Sequence, residues 1–109
     1  MNIDPNLPGS PSTFSELVEY AAGSIVSKQI IKQAAGSVTI FSFDKDQSLS
    51  EHTASSDALA CVVDGRAEFM VGPKKFSVRK DEFVLLPANI PHAVNATERF
   101  KMVLIMIKT

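Results

Sequence analysis

His52 and His92 are the only imidazoles in the chain, and imidazole is the side chain suited both to ligating a metal and to lining a pocket whose charge responds near neutral pH. A catalytic metal usually takes at least three protein ligands and a water, so two imidazoles alone would hold an ion weakly. The plainer role for the pair is hydrogen bonding in a partly buried setting. Other candidate groups carry less. Ser48, Ser50, Ser55 and Ser56 lie close in sequence, but no Gly-x-Ser-x-Gly elbow or acidic partner at triad spacing accompanies them, and they read as loop residues. Cys61 has no adjoining His or Lys to make it a thiolate, so it reads as a small apolar side chain inside a strand. The stretch Gly72-Pro73-Lys74-Lys75 lacks a phosphate-loop pattern and reads as a turn. Asp81-Glu82 falls at a reversal where solvated charge is the default, leaving no carboxylate pair for acid-base work.

These groups must be positioned by about one domain's worth of chain, 109 residues. Apolar residues make up 45% and charged residues 21%, an ordinary globular mix that excludes disorder. Eleven Lys and Arg against twelve Asp and Glu leave a net charge of -1, with no basic run beyond the pairs Lys74-Lys75 and Arg79-Lys80. Nucleic acid, which rewards a concentrated basic face, is thereby disfavoured. The longest apolar stretch, residues 102–107, is far short of the ~20 residues of a membrane helix, and the first residues lack the basic-then-apolar order of a signal peptide. A cytoplasmic protein is expected, and a lone cysteine suits a reduced compartment.

Residues 1–12 hold Pro5, Pro8 and Pro11 with little hydrophobic periodicity, and predict an extended arm ahead of a single domain over 13–109. Thr13 with Glu16 three residues on has the form of a capping box. Phe14, Leu17, Val18 and Ala21 follow at helical spacing and Gly23 offers a stop, so a short amphipathic helix is expected over 13–22. Beyond Gly23, β-branched and aromatic runs bounded by turn residues take over, as in 24–32 and 37–43. Asp64-Gly65 between the runs 58–63 and 66–71 predicts a tight hairpin. Gly72-Pro73 and Lys80-Asp81 mark further reversals, and Pro87 and Pro91 bracket a loop before the last run, 100–107. Seven or eight short strands with one N-terminal helix describe a mainly β antiparallel barrel or sandwich. Phe43, Met70, Phe83 and Met102 are candidates to line it, a composition more often core than ligand site. The last run is apolar on both parities, Met102, Leu104 and Met106 on one side and Val103, Ile105 and Ile107 on the other, so both faces need cover.

From Leu49 to Gly65 the chain resembles the first motif of the cupin superfamily: His, any residue, His, three or four residues, Glu, six residues, Gly. His52 takes the first histidine position and Gly65 the glycine, while Ala54 stands at the second histidine and Ala58 at the glutamate. The second cupin motif runs Gly, five residues, Pro, any residue, Gly, two residues, His, three residues, Asn. Asp81, Pro87, Asn89, His92 and Ala96 stand at its five named positions in order, with Asn89 at the second glycine, a place Asn fills because it tolerates left-handed backbone. The resemblance spans residues 41–107.

The resemblance implies an antiparallel double-stranded β-helix, the jelly-roll barrel, whose mouth in metal-binding relatives holds a divalent cation on three histidines and a glutamate. Only His52 and His92 carry over as metal ligands, so any Zn, Mn, Fe or Ni ion should be weakly bound and no cofactor is assigned. Glu51 and Asp57 each stand one residue from a motif position, and alternation along a strand points both away from the interior. The pocket is expected to include His52, His92, Ala54, Ala58, Asn95, Phe43, Met70 and Met102. Three functions follow in order: a small-molecule binding or sensing domain, a metal-dependent cupin enzyme (oxygenase, isomerase or decarboxylase) with Glu51 or Asp57 as substitute ligand, and a dimeric scaffold. A homodimer is expected from the doubly apolar last strand and from the pairing habit of cupin relatives.

Overall fold

The computed structural model describes residues 2, 3 and 5–108. Among the described residues nine strands run in chain order: β1 (Asn2–Ile3), β2 (Ile25–Gln33), β3 (Gly36–Phe43), β4 (Ser48–His52), β5 (Asp57–Val71), β6 (Lys74–Arg79), β7 (Phe83–Leu86), β8 (His92–Asn95) and β9 (Phe100–Ile107). All pair antiparallel, in the order β1-β2-β3-β9-β5-β8-β4, with β6 and β7 also flanking β5. The chain is mainly β, a curled antiparallel sheet of the jelly-roll kind. No helix among the described residues is long and apolar enough to cross a membrane.

The reversals at Gly72 and Asp81 fall where the turn residues place them, but the hairpin expected at Asp64-Gly65 is absent. In its place β5 runs unbroken for 15 residues. Its first half pairs with β7 and β9 and its second half with β6 and β8, so the strand leaves one sheet and enters the other. The register with β9 slips between Val62 and Asp64, as at a β-bulge, which bends a strand without reversing it. Of the two expected turn residues only Gly65 has positive φ, +72°. A type I′ turn needs positive φ at both, which is why Asp-Gly makes a bend here and no hairpin.

The helix expected over 13–22 is reduced to one 3₁₀ turn, Phe14–Glu16, and Thr13 makes no side-chain cap. The barrel takes the backbone groups that a helix would use. Lys101 Nζ donates to the Ser15 carbonyl at 2.6 Å and Ser42 Oγ to the Glu19 carbonyl at 2.8 Å. The Gly23 N–H, which would close the helical bond to Glu19, donates to Asp44 at 2.7 Å. A ten-residue helix is marginal in water, and these tertiary bonds outweigh its local propensity. Ahead of this segment, Asn2 and Ile3 pair with Lys32 and Ile31 of β2.

Two apolar clusters divide along the faces of the larger sheet. Inside the barrel, Phe43 stacks on Phe100 with centroids 4.5 Å apart, and Phe69 meets Phe100 edge-on. On the outer face Val18, Ile40 and Val103 are buried, with Leu17, Val38 and Ile105 against them. The doubly apolar β9 thus has Met102 in one cluster and Val103 in the other, each 2% exposed. Each fully buried side chain of this size contributes ~1.5–3 kcal/mol.

Gly65→Ala is expected to lower stability although the residue lies outside the pocket. A Cβ there would stand 2.1 Å from the Arg99 carbonyl oxygen, and left-handed backbone is itself strained for alanine. Strain of that kind costs roughly 1–3 kcal/mol. The midpoint of urea denaturation should fall accordingly; an unchanged midpoint would mean that the strand crosses between sheets without this contact.

Candidate functional site

The site begins with a register. His52 ends β4, His92 opens β8 directly after Pro91, and the two are opposite each other in the β4–β8 pair. The ladder is irregular between Leu49 and His52. The loop between Pro87 and Pro91 is fastened to the other motif by a bond of 2.7 Å from the Asn89 N–H to the Ala54 carbonyl, and Asn89 takes the left-handed conformation (φ 64°) expected of it.

The histidine Nε2 atoms are 3.1 Å apart and the rings meet edge to face. His52 is exposed at the rim, whereas His92 is 7% exposed. Nδ1 of His52 lies 2.9 Å from the Ser50 carbonyl, and Nδ1 of His92 lies 3.3 Å from the Ile90 carbonyl. A carbonyl oxygen only accepts, so an Nδ1 bonded to one carries a proton, and the two Nε2 atoms share a further hydrogen bond in which one ring donates and the other accepts. Burial holds His92 below the usual imidazole range, the Ile90 carbonyl opposes that shift, and the neighbouring His52 adds to it.

Beneath the pair lies a cavity of about 70 Å³ lined by Leu49, His52, Ala54, Ala58, Leu86, His92, Val94, Met102, Leu104 and Met106. Both motif alanines thus share it with both histidines. Met102 lines it too, while Phe43 lies wholly buried in the core. Asn95 and Met70 are elsewhere, in a groove on the outside of the smaller sheet with Ser48, Ser50, Glu68 and Lys75. Alternation explains both: Val94 and Phe69 point inward, so their neighbours point outward. Phe83 is also outside, 60% exposed. Leu49, Leu86, Val94, Leu104 and Met106 were not singled out for the pocket. For Leu104 and Met106 the signal was available, since they share the parity of Met102 on β9.

Asp57 accepts a 2.8 Å bond from the Ala88 N–H, and neither it nor Glu51 lines the cavity. Among the described residues no three of His, Cys, Asp and Glu gather as a metal site. The imidazole spacing alone suits a shared ion, since tetrahedral ligands at about 2.05 Å stand roughly 3.3 Å apart. With methyl groups at the other two family positions, the residues present do not fit a resident divalent centre.

A family model for the cupin domain matches residues 39–108, and the chain belongs to the cupin family. Among solved structures, a conserved protein of unknown function from Streptococcus pyogenes is similar over 100% of this chain and 96% of its own, at 26% identity and a TM-score of 0.91. A cupin 2 conserved barrel domain protein from Leptotrichia buccalis is 50% identical over 86% of this chain (TM-score 0.83), which spans 46% of that longer protein. A cupin superfamily protein from Desulfitobacterium hafniense matches end to end at 24% identity and a TM-score of 0.92. No curated protein matched the chain.

The tautomer assignment is open to direct test. Long-range ¹H–¹⁵N correlation spectra above the imidazole range should show His92 as the Nδ1–H form with an unprotonated Nε2. An Nε2–H signal would mean that the Ile90 carbonyl does not orient the ring.

Proposed function

We propose that this chain is a small-molecule binding or sensing domain, without committed catalysis, whose ligand enters the cavity under His52 and His92. The observation that carries the reading is the placement of Ala54 and Ala58 on the same wall as the two histidines. Where metal-binding relatives present an imidazole and a carboxylate, this cavity presents two methyl groups. Its lining is otherwise apolar, which suits a small ligand with an apolar body and one polar group at the histidine pair. The proposed setting is the cytosol, where a lone thiol such as Cys61 stays reduced.

Calorimetric titration with Zn²⁺ and Mn²⁺ tests this reading. The wild-type protein should bind both weakly. Ala54→His with Ala58→Glu completes three nitrogens and a carboxylate, and should tighten binding roughly a hundredfold or more, about 2.7 kcal/mol. Tight binding by the wild type would overturn the reading in favour of a metal-dependent enzyme.

A second reading, the dimeric scaffold, is favoured by the outer face of the larger sheet. Leu17 and Val18 cover Ile40 and Val103 there, but the same face continues across β9, β5 and β7 to Ile107, Phe83 and Leu85, each 60% exposed or more. Among the described residues β7 pairs with β5 alone, so an apolar face ends in an open strand edge. A second copy of the chain, meeting its like about a two-fold axis, covers both at once. Light scattering at micromolar concentration should give a dimer, and Phe83→Glu with Leu85→Glu a folded monomer; a wild-type monomer would sink the proposal.

A further inference from the structure

The two basic pairs of the sequence, Lys74-Lys75 and Arg79-Lys80, come to opposite ends of β6, the open edge of the smaller sheet. Among the described residues β6 pairs with β5 alone. A bond of 3.1 Å from the Lys80 N–H to the Gly65 carbonyl sets the phase of that ladder. Lys74, Phe76 and Val78 therefore bond back to β5, and the backbone N–H and C=O groups of Lys75, Ser77 and Arg79 face away from it. The Arg79 N–H is taken by the Glu82 carboxylate at 2.8 Å, which leaves the edge open at Lys75 and Ser77. Side chains alternate too. Phe76 and Val78 lie on the side of the buried Phe69 and Ala67, whereas Lys75 and Arg79 stand on the outer face. There Arg66 stands opposite Arg79, and Glu68, opposite Ser77, is the one carboxylate that the β5–β6 ladder contributes. Among the described residues neither Lys75 nor Arg79 is ion-paired.

We propose that the β6 edge docks an extended acidic peptide of a partner protein, which adds as an antiparallel strand in the order acidic, apolar, any residue, apolar, acidic. The spacing follows from the ladder. Carboxylates opposite Arg79 and Lys75 share the outer face with them, and the apolar residues opposite Val78 and Phe76 turn the other way. On that side a groove of about 420 Å³ runs between β6 and β7, with Phe76 and Val78 on one wall and Val84 on the other. Phe76 is 42% exposed, and an added strand covers it. Main-chain bonds at Lys75 and Ser77 supply the attachment, and the alternate side chains supply the selection. Lysine on a sheet edge is ordinarily a guard against pairing with a second copy. It serves so here, since two β6 strands meeting antiparallel about Ser77 set Lys75 against Arg79. Such a guard repels cations only, and an acidic strand meets opposite charge at both ends. The inference does not rest on the cavity, nor on the dimer reading, which uses the edge of the larger sheet.

The test uses the full chain and a fluorescein-labelled peptide, Thr-Glu-Val-Thr-Val-Glu-Thr, followed by anisotropy at low salt. A counterpart with Lys in place of both Glu should bind at least ~10-fold more weakly, and the Glu peptide should be released as salt rises. In ¹H–¹⁵N spectra the amide signals of Lys75 and Ser77 should shift on binding. Methylating the backbone nitrogen of the central Thr, which faces the Ser77 carbonyl, should weaken the Glu peptide by ~10-fold or more. Lys75→Glu with Arg79→Glu should reverse the preference between the two peptides. Ser77→Pro, which removes an N–H that an edge strand can spare, should weaken the Glu peptide with no change in melting temperature. If that variant does not fold, the N-methylated peptide tests the same contact on the wild type. Equal binding of the Glu and Lys peptides, an N-methylated peptide held as well as its parent, or no binding at ~1 mM peptide would overturn the inference and leave the basic pairs as an edge guard only.

Discussion

One strand serves two sheets, and the backbone contact that lets it do so constrains everything around it. At Gly65 the chain turns left-handed against the Arg99 carbonyl, so closely that a methyl group has no room, and from there β5 leaves β7 and β9 for β6 and β8. The barrel interior exists because these two halves face each other. Phe100, the partner of Gly65 in the ladder, stacks on Phe43 and meets Phe69, so the crossing and the aromatic floor of the core are the same place. The cavity lies between this floor and the histidine rim.

The N-terminal segment shows a different economy. Instead of forming a helix and packing it, the chain spends single side chains and carbonyls on the barrel. Tyr20 donates to Asp64 at 2.5 Å, and burial followed by that bond raises its phenol well above the ordinary range. Arg99 and Lys101 stand over its ring, and Arg99 also pairs with Asp44 at 2.7 Å. The Gly23 N–H, then Arg99, holds the Asp44 carboxyl below the usual carboxylate range. Leu17 and Val18 are thereby laid along the outer face of the sheet.

How far this was legible in the sequence depends on which force decided each place. Strand boundaries at Phe43, Phe100 and Ile107, and the turns at Gly72 and Asp81, follow from local pattern and were readable. Residues 13–22 carry a sound local helix signal that loses to carbonyl acceptors offered to Ser42 and Lys101, side chains distant in sequence. Asp64-Gly65 carries a sound turn signal, but the same dipeptide serves a bulge when a third strand, here β9, occupies the space beside it. At the site, the family spacing located His52, His92, Ala54 and Ala58, whereas Asn95 and Met70 were displaced by the simple alternation of inward and outward residues. The Nε2 spacing and the two carbonyl acceptors are tertiary facts with no trace in composition or period.

The central position of β9 has a consequence for how the protein is made. This strand lies between β3 and β5, and its ladder with β3, from Gly36–Ile107 to Phe43–Phe100, joins the strand residues farthest apart in sequence. Synthesis delivers β9 after the strands on both sides of it. Until then β3 and the first half of β5 each lack a neighbour, and the apolar residues that will face Met102 and Val103 are uncovered. Closure of the barrel therefore waits on long-range pairing, the kind of topology that folds slowly, with two sheet edges sharing one central strand.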